Sequence, residues 1–177
     1  MKPYRLSFVL FVVTLSACAS TQSSGRGTTT ATATVRNSSG TSLGVVRLES
    51  VAGGVRLTGE LSGLAPGAHG VHLHTVGRCD APGFTSAGDH FNPQNARHGL
   101  ANPEGPHAGD MPAIATDANG RSVVDHTTAL VTLGSGPTSL FDADGSAVVV
   151  HASNDDQRTD PSGNSGSRIA CGVLERS

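Results

Sequence analysis

Polar and apolar residues trade places one by one in two neighbouring stretches of this chain. In VVRLES, Val46 and Leu48 alternate with Arg47 and Glu49; in GVRLTGEL, Val55, Leu57 and Leu61 stand against Arg56, Thr58 and Glu60. A period of two belongs to a strand with one face on a core and the other in water. The AGG between the runs provides a hairpin turn, so the two read as antiparallel neighbours. Short runs at Thr32 to Arg36, Gly70 to Val76, Ala113 to Thr116, Ser122 to Thr128, Ser146 to His151 and Ile169 to Leu174 bring the expected strands to eight. Eight short strands separated by turns predict an all-β sandwich or flattened barrel. Two stretches break the pattern. Gly77 to Asp110 has no periodicity and is rich in Gly, Pro, Asn and His, while Ala152 to Ser167 is polar with interspersed glycine. A loop as long as the first is functional or pinned by something other than its own core. Together the two would wall a site on the outside of the barrel.

Composition supports this picture and adds a tail. The 177 residues suffice for one domain with a real core, and 23 glycines, nine prolines, five phenylalanines and no tryptophan favour turns and small strand residues over helices. Residues 1–17 carry Lys2 and Arg5, an apolar run from Leu6 to Leu15 and a small-residue ending, the layout of an export signal. The ending LSAC resembles a bacterial lipobox, which makes Cys18 the first mature residue and a lipidation site. Residues 18–30, nearly devoid of apolar side chains, then read as a flexible tether, and residues 31–177 as the domain. With Cys18 taken, Cys79 and Cys171 are the only possible pair in a compartment where disulfides persist. The formal net charge is −2, and loss of Lys2 and Arg5 makes the mature part more negative. No basic run or aromatic platform suggests nucleic acid.

The histidines change the picture most. GVHLHTVG places His72 and His74 on one strand face, roughly 7 Å apart along the backbone, as two nitrogens converging on an ion or as a solvated face. The long loop adds His90, His98, His107 and Asp110; three imidazoles and a carboxylate match tetrahedral zinc. His151 ends the run AVVVH, and with it seven candidate ligands exceed what one zinc needs.

GVHLH, GDHFNP, HAGD and GNSGSRIACGVL stand in the order and near the spacing of the motifs of copper/zinc superoxide dismutases, and the chain from Ala31 onward resembles that family. The resemblance implies an eight-stranded Greek-key barrel. It implies copper held by His72, His74, His90 and His151, zinc held by His90, His98, His107 and Asp110, and His90 shared between one Cu ion and one Zn ion. Arg168, in GSRIACG, would orient the superoxide anion, and Asp155 would tie copper-side to zinc-side histidines from behind. Cys79 and Cys171 would form the family's disulfide, and Gly166 matches a glycine whose backbone the arginine leans on. His69 is expected to be structural and His126 to lie on a strand surface.

The implied activity is dismutation of superoxide to oxygen and hydrogen peroxide, by copper cycling between Cu(II) and Cu(I) beside a structural zinc, in defence of the cell envelope. The alternative is a copper-buffering protein of the same fold without turnover, against which the arginine argues. A zinc hydrolase would need an open zinc position, which four ligands close. Residues 3–177 contain no lysine, so steering of the substrate rests on arginines, Arg168 and Arg158 above all. The expected location is the bacterial cell envelope, with membrane contact through the lipid only, and a homodimer is compatible with the sequence.

Overall fold

The computed structural model describes Met1 and residues 29–177. The signal segment, Cys18 and nearly all of the tether lie outside the described residues. Nine antiparallel strands make up the domain: β1 (Thr30–Asn37), β2 (Ser42–Val51), β3 (Gly54–Ser62), β4 (Gly67–His69), β5 (Val71–His74), β6 (Ile114–Thr116), β7 (Arg121–Thr128), β8 (Ala147–His151) and β9 (Arg168–Arg176). They form one sheet in the order β4-β6-β7-β3-β2-β1-β9-β8-β5.

The two ends of that order, β4 and β5, are neighbours in the chain, separated by Gly70 alone. One stretch of backbone therefore pairs with β6 through Gly67 to His69 and with β8 through Val71 to His74, which nearly closes the sheet into a barrel. The ninth strand is β4, Gly67–His69, which lies ahead of the run Gly70 to Val76 and is not among the eight expected; three residues are too short to show a period of two. Leaving β3, the chain rejoins the sheet beyond the places that β6 and β7 later take, the crossing that defines a Greek key.

Alternation places the core as the sequence implies. Ala31, Ala33 and Val35 of β1, Val46 and Leu48 of β2, and Val55, Leu57 and Leu61 of β3 are buried inside the barrel. Arg47, Glu49, Arg56 and Glu60 face solvent. Strands β5 and β8 depart from this pattern, because every residue of both is buried. Val71, Leu73, Val148 and Val150 join the main core, while Ala147 and Val149 pack on the other side with Phe84, Ala87 and Cys171. A β-sheet face away from the core is buried only if something covers it, and here the covering is the two long loops. The expected wall on the barrel's outside is thus present, over β5 and β8.

Cys79 and Cys171 are joined, with Cα atoms 5.7 Å apart, and so fasten the first loop to β9. His69 sits as expected in a structural role, its ring nitrogens each 2.8 Å from a carbonyl oxygen, those of Ala65 and His151. His126 differs from expectation. It shares the parity of Ser122, Val124 and Thr128, which are buried, and is itself half-buried. It belongs to the inner side of β7, where strand alternation overrides its polarity.

Candidate metal centre

Strand β5 turns Val71 and Leu73 inward, so His72 and His74 must face outward, into the layer that the loops cover. His151, at the end of the neighbouring β8, lies on the same side. The first loop delivers His90, His98, His107 and Asp110 to that face, pinned by short β-bridges of His74 with His90 and of His72 with Asp110. All seven residues are buried, none more than 7% exposed.

Ligand-type atoms of these residues fall into two groups, His72, His74, His90 and His151 in one and His90, His98, His107 and Asp110 in the other, with the atoms of each within 4.8 Å of one another. His90 belongs to both. Its Nδ1 is 2.8 Å from Asp110 Oδ1 and 3.5 Å from His107 Nδ1, while its Nε2 is buried without a partner.

The other ring nitrogens explain which atoms point inward. His74 Nδ1 donates to the Gly88 carbonyl at 2.9 Å, and His72 Nε2 to Asp155 Oδ2 at 2.6 Å. His98 Nε2 donates to Asp155 Oδ1 at 3.0 Å, and His151 Nδ1 to the Gly166 carbonyl at 3.2 Å with Ser165 Oγ at 3.1 Å. Each bond fixes a tautomer and leaves a lone pair on the opposite nitrogen. Those opposite nitrogens are the orphans: among the described residues, His72 Nδ1, His74 Nε2, His90 Nε2, His98 Nδ1 and His151 Nε2 are buried without a hydrogen-bond partner. Five such atoms converging in one layer are costly unless an ion takes their lone pairs.

The second group has zinc-like spacing. Zinc–nitrogen bonds of about 2.0–2.1 Å at tetrahedral angles hold ligand atoms about 3.3 Å apart. Asp110 Oδ1 lies 2.8, 3.0 and 3.3 Å from the Nδ1 atoms of His90, His98 and His107. Three rings around one carboxylate oxygen are more than hydrogen bonding explains, and His98 Nδ1 lacks hydrogen-bond geometry to it. The other oxygen, Oδ2, accepts from the main-chain N–H groups of Gly99 and His107, which locks the carboxylate in place.

Charges follow from burial and these contacts. Burial pushes His74 down to about 2, His151 to about 3 and, against the pull of Asp110, His90 to about 4. These rings are therefore neutral near pH 7, the form that binds metal. At His98 burial acts the same way, but the Asp110 carboxylate 3.0 Å from Nδ1 and the hydrogen bond to Asp155 outweigh it and raise the ring to about 9. Both carboxyls are held well below the usual carboxylate range because the histidine hydrogen bonds outweigh burial.

A depression of about 530 Å³ opens beside the first group, lined by Asp89, His90, Asn92, His107, His151 and Arg168 among others. Half-buried Arg168 donates to the Phe84 carbonyl at 2.9 Å. Asp155 does bridge His72 and His98. Arg158 does not line the depression; its guanidinium donates to the Ala101 carbonyl at 3.1 Å. Gly166 holds His151 through its carbonyl, while Arg168 leans on Phe84. Ser165, Phe84 and Gly163 went unread in the sequence. At Gly163, with φ +63°, a Cβ would collide with the Asp155 carboxylate, a constraint visible only in three dimensions.

A Greek-key barrel carrying a two-ion ligand set with one shared imidazole defines a class of dinuclear metalloprotein. The chain belongs to the copper/zinc superoxide dismutase family, whose profile, described as "Copper/zinc superoxide dismutase (SODC)", matches residues 42–174. It is 47% identical over 145 residues to superoxide dismutase [Cu-Zn] 1 of Aquifex aeolicus, covering 81% of this chain and 86% of that one. With the superoxide dismutase [Cu-Zn] of Caulobacter vibrioides it shares 43% identity over 148 residues, 82% of this chain and 85% of the relative. Among solved structures, a double mutant of a SOD-like protein from Bacillus subtilis superposes with TM-score 0.78 at 39% identity, covering 80% of this chain and 95% of that one.

Proposed function

We propose that this protein dismutes superoxide, two superoxide anions and two protons giving one oxygen and one hydrogen peroxide, with copper held by His72, His74, His90 and His151 and zinc by His90, His98, His107 and Asp110. The observation that carries the reading is the convergence of orphaned ring nitrogens on two adjoining ligand sets that share His90, next to a depression containing Arg168. Membership of the family and relatives named superoxide dismutase support it. Nitrogen-rich ligation suits copper, which supplies the one-electron chemistry by passing between two oxidation states.

The chain's own residues do the rest. Arg168 offers a fixed cationic fork at the depression, attracting the anion and orienting it beside the copper-side rings. His90 Nε2, buried without a partner on the copper side, is the ring atom placed to take up a proton and give it to product. His72, His74 and His151 keep their lone pairs inward because Asp155, Gly88, and Gly166 with Ser165 hold their other nitrogens. His90, His98, His107 and Asp110 would hold zinc with four ligands, which would leave no open position for hydrolysis.

The decisive experiment measures copper and zinc per chain together with superoxide consumption by the wild type and Arg168→Ala. The expected result is one of each metal and a fall in rate of about tenfold or more for the variant, the scale of losing one preorganised electrostatic contact. Stoichiometric copper with superoxide decaying no faster than in free solution would make the protein a copper buffer.

Export belongs to the same proposal, supported by relatives that include an extracellular superoxide dismutase from Onchocerca volvulus and by the disulfide. Residues 1–17 act as the signal and lipid on Cys18 anchors the domain through residues 18–30 to an envelope membrane. Mass spectrometry of the mature N-terminus tests this, and an unmodified Cys18 would remove the anchor.

A further inference from the structure

Phe84 is a bulky aromatic residue in the left-handed region, with φ +53° and ψ +25°, where side chains other than glycine's are uncommon and bulky ones strained. It stands at the start of the 3₁₀ turn Thr85–Ala87, the one regular element in the long loop. Its amide donates to the Asp80 carbonyl at 2.9 Å. Its carbonyl accepts from Ala87 N at 3.2 Å and from Arg168 at 2.9 Å. Its ring is 2% exposed, packed with Ala87, Ala147, Val149 and Cys171, with Cys79 against the same cluster.

The same turn reaches the copper side. Gly88 closes it, donating to the Thr85 carbonyl at 3.1 Å, and the Gly88 carbonyl holds His74 Nδ1 at 2.9 Å. One short turn thus holds Arg168 at its first residue and a ligand histidine at its last, and the disulfide fastens its approach to β9, the strand that Arg168 begins.

We propose that Phe84 is a positioning residue for Arg168: its buried ring locks a strained left-handed backbone whose carbonyl keeps the guanidinium in register with the histidines held by the same turn. This rests on the dismutase reading for the task of Arg168. The ring explains why a strained conformation persists, since its apolar burial against β8 and β9 offsets the cost of the strain. A free guanidinium on a flexible stem would sample many positions around the depression; bound to Phe84 it offers its remaining donors from one place.

Two substitutions separate backbone geometry from packing. Phe84→Leu keeps an unbranched Cβ and most apolar bulk, whereas the β-branched chain of Phe84→Val makes the left-handed conformation a severe outlier. In the metal-loaded full chain, phenylglyoxal labelling of Arg168 is followed by mass spectrometry against exposed Arg47, and azide binding is followed by copper absorption. Phe84→Val should speed Arg168 labelling and weaken azide about tenfold, the scale of a partly misplaced binding group. Phe84→Leu should match the wild type, metal content should be unchanged in both, and Phe84→Val should weaken azide no further when Arg168 is already alanine. Where Phe84→Val does not fold, Phe84→Ala, which lacks the ring but not an unbranched Cβ, should release Arg168 likewise. Wild-type labelling in the valine or alanine variant, or equal effects of valine and leucine, would overturn the proposal. Labelling does not depend on turnover, so a wild type that protects Arg168 yet fails to dismute superoxide would sink the dismutase reading alone.

Discussion

Arg168 and Asp89 are the two charged side chains among the described residues lining the depression, and they oppose each other. Burial lowers the proton affinity of Arg168, and the charge of Asp89 partly counters this, so the carboxylate acts on the same guanidinium that is to attract substrate. No second arginine or lysine is among the described residues lining the depression to compensate. Asp89→Asn should therefore raise kcat/KM by about threefold and steepen its fall with added salt, read by rates at several ionic strengths. At this scale much was legible beforehand: the seven candidate ligand residues and Arg168 stand out by their motifs. The carbonyls that orient them were not, because a backbone oxygen has no signature in a sequence.

Among the elements, strands were easier to read than loops. Alternation marks β2 and β3 because one face of each meets water, whereas β5 and β8, buried on both faces, show it least. The loop at 152–167 illustrates what pattern leaves out. Its Asp155 joins His72 to His98, and Gly163 leaves room for that carboxylate. Gly163→Ala should push Asp155 off the histidines and destabilise the domain by about 1–3 kcal/mol, as overpacking does. Thermal unfolding with and without metals checks it, and the loss should be largest in the metal-loaded protein, where the histidine tautomers matter most.

Across the whole molecule, metal binding, charge and folding are linked. Without metal, His98 is raised from 6.5 to about 9, so its pairing with Asp110 and Asp155 stabilises the fold fully below about pH 6.5 and is lost as pH rises through about 9. Zinc needs the neutral ring, and its binding must release that proton. Zinc affinity should then climb about tenfold per pH unit between these limits, measured by chelator competition at several pH values, and the metals should raise the melting temperature at pH 8. A zinc affinity flat over that range would mean that His98 binds without losing a proton.

The sequence by itself determined the fold class, through the period-two pattern of β1 to β3 and the turns between strands, and picked out the candidate metal ligands, because coordination chemistry depends on residue type and the motifs preserve it. Tertiary structure alone decided the near-closure of the barrel at Gly70, the inward place of His126, the tautomer of each ligand histidine and the hold of Phe84 on Arg168. The division has one physical cause. Periodicity and side-chain chemistry are local and can be read in order, whereas closure, a hydrogen bond to a distant carbonyl and room for a carboxylate depend on which far parts of the chain come to lie side by side.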